Sequence, residues 1–285
     1  MTAGKTAAFP AHPVLALPFP LLPPPIEDGW KVGPPDFVGI GAMRSGTTWW
    51  WSVLKRHSGI AANSGVTAHG GDGDHDRIRD ATAYINKEFH FFDHFGQVET
   101  VDPAQYHRYF PRPPGALAGE WTPRYLYDFW TPPMLYSVAP QTKVLVLLRD
   151  PVDRFVSGIA RFTSMGITAD PALYNDQFAR GLYWQQLRNV LSYFPPEQVL
   201  VLQYEQCGQD FIAQAERTFA FLGLDPAAWD RPADPHAPVG IVTDGAGVVN
   251  AETLAAVRRA YQADTRCLLA DFPRLDGALW TSTLG

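Results

Sequence analysis

The stretch FVGIGAMRSGTTWWWS, residues Phe37 to Ser52, reads as a short apolar strand running through a glycine-bounded loop into an amphipathic helix. Strand, loop and helix in that order is how α/β proteins hold a phosphate-like anion. Glycines let the backbone curl so that several N–H groups converge, and the first helical turn adds unpaired donors and its dipole. Thr47 and Thr48 place two hydroxyls at that helix start. Gly41 and Gly46 have the spacing of a nucleoside-triphosphate loop, but Thr47 stands where that loop carries its lysine. The cation is Arg44, inside the loop. The competing reading is a plain glycine turn with a surface arginine.

A chain of 285 residues is within the range of one α/β domain, and 46% hydrophobic residues with nine tryptophans supply its core. The net charge of −6 argues against a general nucleic-acid or membrane-surface binder. An anionic ligand must therefore be met by a few focused arginines. Cys207 and Cys267 lie far apart and make no metal or redox spacing. Free or buried thiols fit a reducing cytoplasm, which is the expected location. Residues 1–35 form a proline-rich arm, disordered or extended across the domain, and 36–285 form the domain itself. Pro13, Pro18 and Pro20 interrupt the arm's apolar run, so it is no membrane helix and a poor signal peptide. No other stretch has the length to span a bilayer.

Thr47 to His57 is expected to be helical, with Trp50, Val53 and Leu54 facing inward and Gly59 stopping it. Three successive tryptophans cannot share one face, so Trp49 or Trp51 lines a cleft, unless all are core filler. Asp72, Asp74 and Asp76 imitate a calcium loop, but Arg77 and Ala83 occupy its glycine and glutamate positions, which excludes it. In KEFHFFD, Lys87 to Asp93, alternation suggests a short strand with Glu88 and His90 on one side. That pair could make a general base; taken by itself, the motif reads better as a surface strand with a satisfied histidine. A strand over Ala116 to Gly119 leads into GEWTPRY, which turns at Pro123.

KVLVLL, Lys143 to Leu148, is the clearest buried strand. It delivers Arg149 to the carboxyl end of a parallel strand, where ligands of doubly wound sheets bind. Pro151 then fits the first position of a helix carrying Asp153, Arg154, Ser157 and Arg161, with Ser157 able to face back. Further expected elements are a long helix over Asp176 to Phe194, a strand over Val199 to Leu202 and a helix over Asp210 to Leu222 closed by Gly223. A loop over Asp225 to Gly247 and a helix over Ala251 to Leu269 follow. Alternating strands and helices imply an α/β, P-loop-like three-layer fold with a central, mainly parallel sheet flanked by helices.

Nucleoside-triphosphate enzymes recruit Mg²⁺ through a loop hydroxyl and an aspartate after a buried strand. Here the strand ends in Arg149, an anion binder, and the loop lysine is absent. A donor with less charge at the transferred group, met by arginine rather than metal, fits better; a sulfuryl donor is one. The set GAMRSGTTWWW, KEFHFFD, GEWTPRYL, VLLRDPVDRFVS and GLYWQQL…PPEQVLVLQYE, in this order, resembles the PAPS-dependent sulfotransferases. It is most similar to the heparan-sulfate branch and to bacterial carbohydrate or natural-product sulfotransferases. The resemblance runs from about Asp36 to Leu224.

The resemblance implies that Arg44, Ser45, Gly46, Thr47 and Thr48 hold the 5′-phosphosulfate of PAPS, with Arg44 neutralising the bridging oxygen as it leaves. Arg149 and Ser157 would bind the 3′-phosphate. Glu88 would take the acceptor's proton, with His90 orienting acceptor or base, and 3′,5′-ADP would be the product. No metal is implied. Two departures bear on the acceptor. Trp121 stands where heparan-type enzymes have lysine, and Asp225 to Gly247 offers only Arg231 and His236 in place of their basic, disulfide-tied loop. A long polysulfated glycan is therefore disfavoured, and a small or amphiphilic acceptor such as a sugar, glycolipid or aromatic metabolite is expected. The alternatives are a P-loop small-molecule kinase and a nucleotide-binding protein without turnover.

Overall fold

The computed structural model describes residues 23–61, 87–93, 101–234 and 247–285. The Asp72–Asp76 segment, the helix expected to end near Asn86, His236 and most of the proline-rich arm lie outside them. Among the described residues four strands, β1 (Phe37–Gly41), β2 (Gly119–Trp121), β3 (Lys143–Leu148) and β4 (Val199–Gln203), form one sheet in the order β2-β1-β3-β4. Every pairing is parallel, with Val38 opposite Val144 and Val144 opposite Val199.

Strand alternation divides the core between two faces. Val38, Ile40, Val144, Val146 and Leu148 pack on one side with Phe92, Tyr106, Tyr125, Tyr183 and Trp280. Phe37, Leu145, Leu147, Leu200 and Leu202 pack on the other with Trp50, Trp51, Phe211 and Phe219. Both faces are covered, which is why β3 and β4 read as unbroken apolar runs. The α/β, P-loop-like layering is thus borne out.

Helix α1 (Thr47–Leu54) is shorter than its pattern and buries Trp50, Trp51, Val53 and Leu54. Trp49 is half-buried, stacked on Phe211 with centroids 5.8 Å apart and edge-on to Tyr204 at 5.7 Å. Two short helices follow, α2 (Pro103–His107) and α3 (Thr131–Val138). Helix α4 (Pro151–Ser164) starts with Pro151 after its cap Asp150, whose carboxylate accepts from the amides of Val152 at 2.9 Å and Asp153 at 3.4 Å.

The single helix expected over Asp176 to Phe194 is instead two, α5 (Pro171–Ala179) and α6 (Tyr183–Leu191). The break falls at Gly181, where an added Cβ would lie 2.5 Å from the Tyr261 hydroxyl. That close approach leaves no room for a side chain at this position. Beyond β4 come α7 (Tyr204–Gln209), α8 (Phe211–Leu222), α9 (Ala251–Asp271) and α10 (Thr281–Leu284). Gly223 closes α8 at φ +83°, as the sequence implies. Cys207 is buried, Cys267 is exposed, and neither is paired.

Candidate active site

The loop between β1 and α1 lies at the carboxyl end of the sheet. Its geometry depends on Gly46, which caps α1 at φ +86°. A Cβ there would meet the Tyr204 ring at 2.6 Å, so glycine is required by both conformation and space. Arg44 also takes a left-handed conformation, φ +69°. Its Nε and Nη2 each donate to Ser157 Oγ at 3.1 Å, joining the loop to α4. Arg149, at the end of β3, rests its guanidinium 5.3 Å from the centroid of the same Tyr204 ring. Arg44, Gly46, Ser157 and Arg149 are therefore gathered around one end of β1 and β3, with Tyr204 between loop and arginine.

Lys87 to Asp93 is not a strand. His90 has φ +51°, and the segment is a turn. Its amides are taken by side chains of the GEWTPRY segment instead of by a neighbouring strand. Phe89 N donates to Glu120 Oε2 at 3.0 Å, His90 N to Thr122 Oγ1 at 3.2 Å, and Phe91 N to the Tyr125 hydroxyl at 2.7 Å. Trp121 N reaches back to the Lys87 carbonyl at 2.7 Å. Glu88 and His90 still meet, but through the turn: Glu88 Oε2 is 3.2 Å from His90 Nε2.

On its other nitrogen, His90 Nδ1 is 2.6 Å from Asp93 Oδ2. Burial works against an imidazolium here, yet hydrogen bonds and charge from Asp93 and Glu88 push the His90 pKa up to about 10. The ring is thus cationic at neutral pH and has no lone pair with which to act as a base. Burial likewise opposes charge on Glu88, but Lys87 and His90 outweigh it and hold its carboxyl below the usual range.

Lys87 carried no assignment in the sequence. Its side chain is buried, and Nζ donates to Thr47 Oγ1 at 3.0 Å, Thr48 Oγ1 at 3.2 Å and Glu88 Oε1 at 2.7 Å. Burial pulls its pKa below the lysine range while Glu88 opposes that. The combination of a loop lacking its lysine and a Lys-Glu pair ahead of an aromatic run was the signal available. Glu120 was also missed as an organiser. Wholly buried, it accepts from Tyr106 and Thr122 hydroxyls at 2.6 Å each. Burial lifts its pKa to about 7 against those hydrogen bonds.

Trp121 stands apart from the polar cluster. Its indole lies over Gly39, where a Cβ would be 2.0 Å from the ring, and Nε1 donates to the Gly41 carbonyl at 3.2 Å. Asp150 is fully engaged as well. Besides capping α4 it accepts from Thr283 N at 3.1 Å and Thr283 Oγ1 at 2.7 Å.

Residues 34–231 match the sulfotransferase domain family. Heparan sulfate glucosamine 3-O-sulfotransferase 6 of Mus musculus is 26% identical over 238 residues, covering 79% of this chain and 62% of the relative. A membrane-associated sulfotransferase, kil1 of Dictyostelium discoideum, is 30% identical over 128 residues, covering 43% of this chain and 22% of the relative. The chain thus spans less than two thirds of either. A sulfotransferase from Alicyclobacillus acidocaldarius shares the fold, with TM-score 0.57 and 23% identity over 88% of this chain and 100% of that one.

These relatives correct the cytoplasmic expectation, because one of them is membrane-associated. Two unpaired cysteines report the absence of a disulfide between them, which does not fix a compartment. Among the described residues, no helix is long and apolar enough to cross a membrane.

Proposed function

The chain belongs to the sulfotransferase domain family, and from that premise we propose that it moves a sulfuryl group from PAPS to a hydroxyl of a small or amphiphilic acceptor. The observation that carries this reading is Glu88, a carboxylate kept ionised between Lys87 and His90 beside the hydroxyls of Thr47 and Thr48. A base next to an anion cradle is what in-line transfer to a hydroxyl needs.

In this reading Ser45 to Thr48, with Arg44, hold the 5′-phosphosulfate. Arg149 and Ser157 take the 3′-phosphate. Glu88 accepts the acceptor's hydroxyl proton as the new O–S bond forms. The S–O bond to the donor breaks, and its electron pair leaves on the 5′-phosphate of 3′,5′-ADP. The cations around the loop offset that charge. His90, already protonated, orients Glu88, and Asp93 fixes the ring.

A kinase reading needs an aspartate after the buried strand to hold Mg²⁺. Asp150 is the candidate, and its oxygens are committed to the start of α4 and to Thr283. That favours the sulfuryl donor. A net charge of −6 favours a small neutral or amphiphilic acceptor, such as a sugar, a glycolipid or a natural product, over a polysulfated chain. Screening hydroxylated sugars, glycolipids and phenols with sulfur-labelled PAPS tests the proposal. Label should reach at least one acceptor class, and label transfer to none of them, with PAPS left unbound, would refute it.

A further inference from the structure

Every hydrogen of the Lys87 ammonium is assigned by the geometry, and two of its three acceptors are the loop hydroxyls themselves. A hydroxyl that accepts from an ammonium turns its own hydrogen away from it. Thr47 Oγ1 and Thr48 Oγ1 both accept from Lys87 Nζ, at 3.0 and 3.2 Å, so their own protons point away from it and are left to donate to another partner. The third hydrogen goes to Glu88 Oε1 at 2.7 Å. One buried side chain thereby touches both halves of the reaction centre, from a position 40 residues beyond Thr47.

We propose that Lys87 is a positioning residue that couples the donor cradle to the acceptor base. It supplies from outside the loop the charge that a loop lysine would bring. It commits Thr47 and Thr48 to donate to the 5′-phosphosulfate and keeps Glu88 facing the cradle. The inference rests on the donor reading above and adds a residue and a linkage to it. The Arg44 guanidinium, for its part, ties the loop to Ser157 on α4.

The test is a double-variant cycle read by calorimetry with PAPS, which needs no acceptor. Lys87→Met and Thr48→Val should each weaken PAPS binding by about tenfold, the usual scale for losing a charge-assisted hydrogen bond. If Lys87 acts through the hydroxyl, the double variant should be no more than about twofold weaker than the worse single one, well short of the roughly hundredfold expected of independent sites. Lys87→Arg, which keeps the charge, should recover most of the affinity. Should Lys87→Met not fold, Lys87→Gln takes its place in the cycle. Additive losses, or an unaltered affinity in the Lys87 variant, would overturn the coupling. Wild-type protein that binds no PAPS would instead refute the donor reading itself, a distinguishable result.

Discussion

Arg44 and Ser157 are 113 residues apart in sequence, and two guanidinium nitrogens of the first donate to the hydroxyl of the second at 3.1 Å. The contact closes the loop after β1 onto the helix after β3, and it puts Ser157 on the same side as Arg149. In the proposed reading a 3′-phosphate entering here would meet the Ser157 hydroxyl and the Arg149 guanidinium.

Arg149→Ala should therefore cost 3′,5′-ADP about 1.5–3 kcal/mol of affinity, the range for hydrogen bonds to charged groups. Binding of 5′-AMP should be nearly unchanged. Ser157→Ala should follow the same pattern at about 1 kcal/mol. Isothermal titration with the two nucleotides checks both. An Arg149→Ala protein that discriminates as well as wild type would place the 3′-phosphate elsewhere.

Asp150 predicts an effect on stability rather than on metal use. It caps α4 and anchors Thr283, while Glu205 beside it accepts from Asp150 N at 2.9 Å and from Trp280 Nε1 at 2.9 Å. Asp150→Ala should destabilise the fold by roughly 1–3 kcal/mol through the lost cap and the stranded donors. Urea unfolding would show it. A variant as stable as wild type would mean that these hydrogen bonds contribute nothing net.

His90 gives stability a pH signature. Its folded pKa, about 10, lies above the ordinary 6.5. The contribution is then fully present below pH 6.5 and is lost as pH rises through 10. The difference in unfolding free energy between wild type and His90→Gln should shrink steadily over that window. A difference that stays constant from pH 7 to 10 would mean that His90 is neutral in the fold.

How far the sequence carries is seen by comparing KVLVLL with KEFHFFD. The first is buried on both faces, so its unbroken apolar run appears as strand β3 with the expected ends. Its delivery of Arg149, the capping start of α4 and the return of Ser157 toward the loop follow from local pattern. KEFHFFD has the alternation of a strand but turns, because Glu120, Thr122 and Tyr125 satisfy its amides from a distant segment. Periodicity cannot show that exchange of partners. Nor could periodicity show Lys87 reaching the hydroxyls of Thr47 and Thr48, since the two segments are joined only in the folded chain. The close approach of Tyr261 to Gly181, where the expected helix splits, is likewise a tertiary contact that periodicity does not reveal.

Glu88→Gln keeps shape and hydrogen bonding but removes the proton acceptor. Turnover with an identified acceptor should fall by roughly 10²–10⁴, the usual worth of general acid–base catalysis. Affinity for 3′,5′-ADP should persist nearly unchanged if, as proposed, the carboxylate serves the acceptor side. Full transfer by the variant would mean that another group takes the proton.

The most direct test of the central claim is thermal stabilisation of wild-type protein by 3′,5′-ADP, 5′-AMP and Mg-ATP, side by side. A nucleotide present at about a hundred times its Kd should add roughly 2.7 kcal/mol of stability. The expected result is a clear rise in Tm with 3′,5′-ADP, less with 5′-AMP and little with Mg-ATP. Stabilisation by Mg-ATP exceeding that by 3′,5′-ADP would contradict the assignment of a sulfuryl donor to this site.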